Sequence, residues 1–505
     1  MSNTDSKLED SHKEILKSSF IIGGSSVINI AVGLLRMKIV AILLGPAGVG
    51  LIGLLNNLMS AGANLSAMGI GNSGTRQIAE ANAKGSDRDL AVARKALLLC
   101  SLALALIGGI AFFLLSPYLA RHILDDESLS STVGWLSIGL SLTVIVGSQR
   151  ALLTGLRRIG DVAKITVASS VVSAFAGILA LYIWGEAGIV IFIISTPLVG
   201  VVISYCYVAR LPKLSVLIGK ITAISSQGSA LFRLGFSFMV ASLSVLLGQL
   251  AIRSIVQHEL GAASLGYFQA AWSISMTYIG FVLAAMGTDY FPRLTAVITD
   301  HSAARRMVND QAEIAILLAG PVLLAMLALT PWVIQALYTK DFLVASNILR
   351  WQILGDVLKI ICWPMGFIIV ASGKGRIFMM KEIFVMGVFV AGVWLMIPIA
   401  GLEATGMAFF LMYLVNIPIV MMISKFLIDF KWSGVVKVDA TILVISALTI
   451  AIVANFSEVY GAVIGMIILL FISVRNMLRL SEMSSLKGPA AVLISRIRQV
   501  LGRGR

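Results

Sequence analysis

Charged side chains inside long apolar segments are the residues of this sequence that could do chemistry. Asp356 and Lys359 stand three positions apart in "WQILGDVLK", and Arg36 interrupts the first long apolar run. An isolated charge at the middle of a bilayer costs at least about 2.5–3.5 kcal/mol, so these residues are expected to face a polar interior. The other basic residues inside or at the edge of apolar segments are Lys38, Arg150, Arg253 and Arg350.

The surplus of buried cations over buried acids predicts an interior that binds an anion. A phosphate or pyrophosphate group fits, since arginine can hold such groups with two parallel hydrogen bonds. Three simpler interpretations stay open. Lys38, Arg253 and Arg350 could extend to a membrane surface, and Arg150 could be an inner-side anchor. Asp356 and Lys359 could neutralise each other across one helical turn.

The predicted binding set is therefore defined by charge and depth. Its cations are Arg36, Lys38, Arg150, Arg253 and Lys359, with Asp356 as a coupling residue or an ion-pair partner.

Signatures of enzymes and metal proteins are missing from the sequence. The 4 histidines are scattered without ligand spacing, and the 3 cysteines fall in apolar segments without a C-x-x-C motif. No Walker A sequence occurs, which excludes nucleotide hydrolysis by that route. We predict no catalytic residue, no metal site and no cofactor. If the protein moves its ligand across the membrane, a proton or sodium gradient acting through Asp356 is a candidate energy source.

The composition requires a membrane protein. Of 505 residues, 58% are hydrophobic and 13% are charged, whereas soluble proteins are about 25% charged. The mean hydropathy is +0.95. We predict an all-α polytopic protein with about fourteen spans of roughly 20 residues each. They lie near 18–42, 48–70, 92–117, 131–155, 162–184, 187–209, 230–256, 264–287, 311–336, 345–371, 379–399, 403–426, 439–456 and 459–478.

Lysine and arginine are concentrated in alternate loops and at both ends of the chain. Under the positive-inside rule, this pattern predicts that both termini are cytoplasmic. The net charge of +14 is then an orientation signal and does not indicate nucleic-acid binding.

An internal duplication is visible in the glycine motifs "LGPAGVG" (44–50) and "LGAASLG" (260–266), which are 216 positions apart. At the same offset Phe20 matches Phe236, and Leu34 matches Leu250. We predict two six-helix lobes and two further helices. The predicted divisions are an N-terminal segment (1–17), an N-lobe (18–210), a linker (211–229), a C-lobe (230–430), two extra spans (439–478) and a basic amphipathic tail (479–505) that lies on the inner leaflet.

Three segments resemble one transporter family. "LLRMKIVAILLGPAGVGLIGL" (34–54), "GTDYFPRL" (287–294) and "DFLVASNILRWQILGDVLK" (341–359) are similar to Wzx-type polysaccharide flippases. These belong to the multidrug/oligosaccharidyl-lipid/polysaccharide (MOP) exporter superfamily. The resemblance covers about 15–430 and is greatest to the translocases of O-antigen and of enterobacterial common antigen (lipid III).

The resemblance implies a substrate and a site. The substrate would be an undecaprenyl-pyrophosphate-linked oligosaccharide, moved across the inner membrane through a cationic cavity between two lobes. Lys38 matches the family's basic position before the glycine motif, and Asp356 and Lys359 match the G-D-V-L-K of span 10. Arg36 matches no assigned family residue. With a glycan as substrate, Trp351 and Gln352 at the start of span 10 become candidate contacts to sugar. Partners would be membrane lipids and, within the biosynthetic machinery, a polysaccharide polymerase and chain-length proteins.

Other functions remain as alternatives. The last two spans resemble the fourteen-helix layout of lipid II flippases. A drug/cation antiporter would require buried carboxylates to hold cationic drugs, and this interior carries cations instead. A membrane glycan polymerase would require sizeable outer loops with candidate catalytic residues, and the predicted outer loops are mostly shorter than about 15 residues, which is close to the usual upper limit for plain connections.

Overall fold

The structure is a computed structural model of the chain. It describes the backbone of residues 2–83, 85–212 and 221–483, and the side chains of 24–71, 73–83, 85–212, 242–280, 283, 286 and 290–480. Parts of the predicted linker (211–229) and most of the predicted tail (479–505) lie outside the described residues. The side chains of the predicted N-terminal segment (1–17), and Gly287, Thr288 and Asp289 of "GTDYFPRL", also lie outside them.

Every regular element in the described residues is a helix, which confirms the all-α prediction. The α-helices are α1 (Ser2–Ala67), α2 (Ile70–Ala83), α3 (Asp87–Leu119), α4 (Ser130–Gly155), α5 (Ile159–Trp184), α6 (Ile189–Val208), α7 (Ile221–Val297), α8 (His301–Ala328), α9 (Thr330–Leu337), α10 (Ala345–Ala371), α11 (Gly375–Ala400), α12 (Ala404–Ile428), α13 (Gly434–Phe456) and α14 (Glu458–Met483). A helix satisfies its own backbone hydrogen bonds, which lipid cannot do.

The number of membrane crossings stays a prediction. Within the described ranges, 9 helical stretches are long and apolar enough to cross a membrane, and some of them join two successive helices. The predicted spans near 18–42 and 48–70 both fall in α1, and those near 230–256 and 264–287 both fall in α7.

Sharp kinks divide α1 and α7 at equivalent glycines. Gly45 has φ 62° and ψ −165°, and Gly261 has φ 81° and ψ 174°. Positive φ is accessible to glycine at little cost because it lacks a Cβ atom. The two kinks are 216 positions apart, at the offset that the glycine motifs predict.

The same offset recurs where helices end. Gly185 follows α5 and Gly401 follows α11, both with φ 54°. Arg157 (φ 57°) and Gly373 (φ 69°) are a further pair, between α4 and α5 and between α10 and α11. Since α5 and α11 also begin and end 216 positions apart, the internal repeat is confirmed in backbone geometry.

The chain forms two compact units. The first comprises 1–269 with 337–341, and the second comprises 270–336 with 342–505. The lobe limits predicted from the repeat, 18–210 and 230–430, stay a prediction. Each unit has its own apolar core. One cluster in the first unit includes Ile78, Leu97, Leu153 and Ile165, and one in the second includes Leu294, Val308, Ile368 and Val420.

Large apolar side chains also cover much of the outer surface. Phe175 is 72% exposed and Ile399 is 88% exposed. Surfaces of this kind are expected where lipid tails replace water as the solvent. Apolar residues therefore mark both the interior and the lipid-facing surface, and polar positions inside the helices become the informative ones.

Candidate functional site

Arg36, a half-buried residue of α1, is bound by α6. Its Nη1 donates to Thr196 Oγ1 (2.7 Å) and its Nη2 to the carbonyl oxygen of Phe192 (2.6 Å). The guanidinium carbon lies 3.8 Å from the centroid of the Phe192 ring. Arg36 forms no ion pair among the described residues, and its Nε makes no hydrogen bond there. Neutral oxygens stabilise this cation without cancelling its charge.

Arg253 is the more deeply buried cation of the first unit, with 3% of its surface exposed. Its Nε donates to Gln269 Oε1 (3.0 Å) and its Nη1 to the carbonyl oxygen of Gln249 (3.0 Å). Asn57 Nδ2 donates in turn to Gln249 Oε1 (3.4 Å). These four residues, Asn57, Gln249, Arg253 and Gln269, form a cluster that we call the α1–α7 polar cluster. Its hydrogen-bonding oxygens are again neutral.

Lys38 and Arg150 complete the predicted cations of the first unit. Both are half-buried. The Arg150 Nε makes no hydrogen bond within the described residues, and neither does the Oε1 of its neighbour Gln149. Arg150 therefore retains an open donor in the described structure. No hydrogen bond there joins it to Arg36 or Arg253.

The two copies of the glycine motif contact each other within the first unit. A Cβ atom built on Gly50 would lie 2.7 Å from the backbone nitrogen of Gly266, and one on Gly266 would lie 1.8 Å from the carbonyl oxygen of Pro46. Only glycine fits at these positions, because the backbones of α1 and α7 touch. The shared sequence motif thus corresponds to a shared contact.

Asp356 lies in the second unit and is completely buried. Its Oδ2 accepts hydrogen bonds from Ser275 Oγ (2.5 Å) and Tyr278 Oη (2.7 Å), and its Oδ1 has no hydrogen-bond partner in the described structure. Sequence reasoning missed Ser275 and Tyr278. Their signal was two hydroxyl residues at an i, i+3 spacing in "AAWSISMTYIG", a spacing that places both on one helix face.

Lys359 is half-buried and lies near a thioether sulfur and an aromatic ring. Its Nζ lies 3.9 Å from Met276 Sδ and 5.8 Å from the centroid of the Tyr413 ring. Asp356 and Lys359 form no ion pair in the described structure, so their mutual neutralisation is not seen in this conformation. The two residues are three positions apart on α10, about one helical turn.

The two candidate sugar contacts are in different environments. Trp351 is half-buried and its ring centroid lies 5.8 Å from that of Phe410. Gln352 has no exposed surface, and neither polar atom of its side chain is hydrogen-bonded among the described residues. Trp351 therefore borders a crevice, described below, while Gln352 is enclosed by protein.

Several charge pairs of the second unit were not predicted. Arg475 Nη2 contacts the buried Asp439, and Lys381 contacts Glu382. Arg350 lies 3.6 Å from Glu458. The first pair joins α13 to α14. The described residues contain no group of three or more histidine, cysteine or acidic side chains that could hold a metal ion.

The chain matches proteins of known families over most of its length. A sequence profile for the family described as "Polysaccharide biosynthesis protein" matches residues 39–347, more than half of the chain. The lipid III flippase of Escherichia coli (strain K12) is 21% identical over 403 residues, which are 79% of this chain and 96% of that protein. The lipid III flippase of Shigella flexneri matches to the same extent.

Solved structures share the fold. An inward-facing MATE-family transporter of the MOP superfamily, associated with multidrug resistance, superposes with a TM-score of 0.69 and 15% identity, covering 80% of this chain and 98% of its own. The lipid II flippase MurJ in an inward closed conformation gives a TM-score of 0.69 with 14% identity, covering 91% of this chain and 99% of its own.

These matches agree with the all-helical fold, the apolar surface and the confirmed repeat. The family match includes both glycine motifs, at 44–50 and 260–266. This multi-pass membrane protein therefore belongs to the polysaccharide biosynthesis protein family, and its fold is that of the MOP transporters.

Proposed function

We propose that the protein is a flippase for an undecaprenyl-pyrophosphate-linked oligosaccharide, such as an O-antigen unit, at the bacterial inner membrane. The similarity to the lipid III flippases supports this class of substrate. The observation that carries the proposal is the presence of two arginines inside the helices of the first unit, Arg36, which is half-buried, and Arg253, which is 3% exposed. Arg36 donates to neutral oxygens and forms no ion pair among the described residues, so its positive charge is available to an anionic ligand.

A pyrophosphate group is the part of the substrate that these arginines would bind. Its oxygens are strong acceptors, and hydrogen bonds between ionised partners are about twice as strong as neutral ones. Lys38, Arg150 and Lys359 would add positive charge along the path of the headgroup. The polyprenyl chain would stay in the lipid, where the apolar outer surface of the protein meets it.

Alternating access is the proposed mode of transport, with both termini on the cytoplasmic side. The kinks at Gly45 and Gly261 and the contact of Gly50 with Gly266 are consistent with two packed helices that separate and rejoin. Because glycine backbones interlock there without side chains, separating them would sacrifice little buried apolar surface. A polysaccharide polymerase and chain-length proteins are proposed to take up the product.

Asp356 is proposed as the coupling residue for a proton or sodium gradient. It is held by two hydroxyl donors and keeps one carboxylate oxygen without a hydrogen-bond partner in the described structure. A proton or a sodium ion could occupy that side of the carboxylate. Lys359, one helical turn away, would change its interaction with Asp356 when the cation binds.

The experiment is a deletion of the gene in the bacterium that carries it, followed by complementation. Deletion should abolish the surface polymer and cause the lipid-linked unit to accumulate on the inner leaflet. Arg253→Gln should fail to restore the polymer at equal protein level. Arg76→Gln is a matched control, since Arg76 is an exposed cation that pairs with Glu80 on the surface of α2. An unchanged polymer after deletion would contradict the proposal.

A lipid II flippase is a second candidate, favoured by one observation. The solved lipid II flippase covers 91% of this chain, compared with 80% for the MATE transporter. Growth of a bacterium depleted of its own lipid II flippase decides between the two candidates. Rescue by this chain would support the second candidate, whereas restored surface polymer without such rescue supports the first.

A further inference from the structure

A crevice in the second unit is lined by side chains of α10, α12 and α13. Its volume is about 530 Å³. Polar side chains gather where α10 and α12 begin and where α13 ends: Asn347, Arg350, Glu403 and Asn455. None of these residues belongs to the predicted binding set for the transported substrate.

Arg350 is the central group of this polar end. It is only 8% exposed, and its Nη1 donates to Asn347 Oδ1 (3.2 Å). Its Nε and Nη2 make no hydrogen bond to any described residue, and Glu458 lies 3.6 Å from Nη2. A buried N–H group without a partner is costly, so oxygen atoms of a ligand are expected here.

Carboxylates flank the arginine on two sides. Glu403 Oε1 accepts a hydrogen bond from Asn347 Nδ2 (2.8 Å), which orients it next to Arg350, and Glu458 stands at the start of α14. The polar end thus contains one cation, Arg350, and one acid, Glu403, and a second acid, Glu458, lies beside Arg350. This combination disfavours a ligand with net negative charge, including a pyrophosphate, and favours one that carries both signs.

The rest of the crevice is apolar and opens to the outer surface. Leu354 and Phe410 line it on one side, and Leu448 and Ile452 of α13 line it on the other. Ile452 is 57% exposed. From Leu448 to Asn455 the helix rises by about 10 Å, at roughly 1.5 Å per residue. Polarity therefore changes from one end to the other along the helix axis, as it does along a lipid molecule.

We propose that this crevice binds a zwitterionic phospholipid with a primary ammonium group, namely phosphatidylethanolamine. Its phosphate oxygens accept hydrogen bonds from Arg350, and its ammonium group donates to Glu403 and Glu458. One acyl chain lies along Leu448 and Ile452. The crevice shares Trp351 with the candidate contacts to sugar, but the lipid proposal rests on Arg350 and Glu403 and does not depend on the proposed function.

The binding experiment compares three lipids on the purified full-length protein. Phosphatidylethanolamine, phosphatidylcholine and phosphatidylglycerol with identical acyl chains are mixed in equal amounts with the protein, and retained lipid is measured by native mass spectrometry. We expect phosphatidylethanolamine to be retained about tenfold or more over either competitor, the scale of one charge-assisted hydrogen bond. Equal retention of all three lipids, or a preference for phosphatidylglycerol, would overturn the proposal.

Variants locate the site within the molecule. Glu403→Gln should reduce the preference for phosphatidylethanolamine to within about twofold. Glu186→Gln is the matched control, because Glu186 is an exposed acid in the corresponding turn of the repeat, Gly185–Gly188. The control should retain the full preference. An equal loss in both variants would show that the preference does not arise in the crevice.

A further variant tests the apolar part and leaves the charges intact. Ala451 lines the crevice and is half-buried, so Ala451→Phe should fill it while the protein still folds. We expect bound phosphatidylethanolamine to fall about fivefold or more, with an unchanged elution volume on size exclusion. Unchanged lipid retention in this variant would place the lipid elsewhere.

Discussion

Buried cations differ between the two units in the groups that stabilise them. In the first unit, the hydrogen bonds from Arg36 and Arg253 end on hydroxyl, amide and carbonyl oxygens. In the second, Arg475 contacts Asp439, and Arg350 stands beside Glu458. Neutral oxygens replace water around a charge and leave the charge in place, whereas a carboxylate cancels it. This difference between Arg36 and Arg475 is the basis of the proposals that the first unit binds an anion and that the second responds to a cation.

The largest expected effect concerns the buried pair of the second unit. Asp439→Asn removes the charge that pairs with Arg475. Breaking a buried ion pair costs about 3–5 kcal/mol, and the loss here should lie below that range because the Arg475 side chain is 24% exposed and also donates to Asn476 Oδ1. We expect a clear fall in thermal stability in detergent. The double variant with Arg475→Gln should recover part of that loss, because no unpaired charge remains. An unchanged melting temperature in Asp439→Asn would remove the distinction between the units.

Arg253 provides the corresponding test in the first unit. Arg253→Gln should lower transport per folded protein by about tenfold or more, since hydrogen bonds to charged groups are worth about 1.5–3 kcal/mol. Surface polymer, normalised to the folded protein recovered from the membrane, is the measurement. If polymer and folded protein fall in the same proportion, Arg253 has a structural role, and the difference between the units has no bearing on substrate binding.

Asp356 tests whether the acid of the second unit responds to a cation. Asp356→Asn keeps an oxygen that can accept from Ser275 and Tyr278, so stability should change by less than about 1.5 kcal/mol. Transport should lose its dependence on the proton or sodium gradient. The assay is uptake of the lipid-linked unit into vesicles with an imposed gradient. A variant that still follows the gradient would exclude Asp356 as the coupling residue.

Arg36 should show the smallest effect when its charge is kept. Arg36→Lys loses the paired contacts to Thr196 and Phe192, at a cost of about 0.5–1.5 kcal/mol for a hydrogen bond. Transport per folded protein should fall less in Arg36→Lys than in Arg36→Gln. Equal losses in the two variants would indicate that the shape of the guanidinium group, and not its charge, is required.

The sequence predicted the fold where the signal was periodic or repeated. Apolar runs predicted helices, and the motif copies at 44–50 and 260–266 predicted the 216-residue offset that the kinks at Gly45 and Gly261 then showed. Charge and depth selected Arg253 and Asp356 as buried residues, and both are buried.

The partners of the buried charges could not be predicted in the same way. Ser275 and Tyr278 are neutral and only weakly hydrophilic, so they barely alter the hydropathy of α7. Asp439 and Arg475 stand at the ends of two predicted spans, where charged residues ordinarily meet water or lipid headgroups. Their contact depends on how α13 packs against α14, and a single sequence does not encode that distance in any local pattern.

The turns at Gly185 and Gly401 are two copies of the same backbone geometry, so one substitution can be compared at two equivalent positions. Both have φ 54°, and a Cβ atom at either position would meet nothing within 4 Å. Alanine at either position should therefore incur the same intrinsic backbone cost, about 1–2 kcal/mol for a left-handed residue. If the two alanine variants lose different amounts of stability, the difference measures how much more one copy of the repeat depends on this turn than the other.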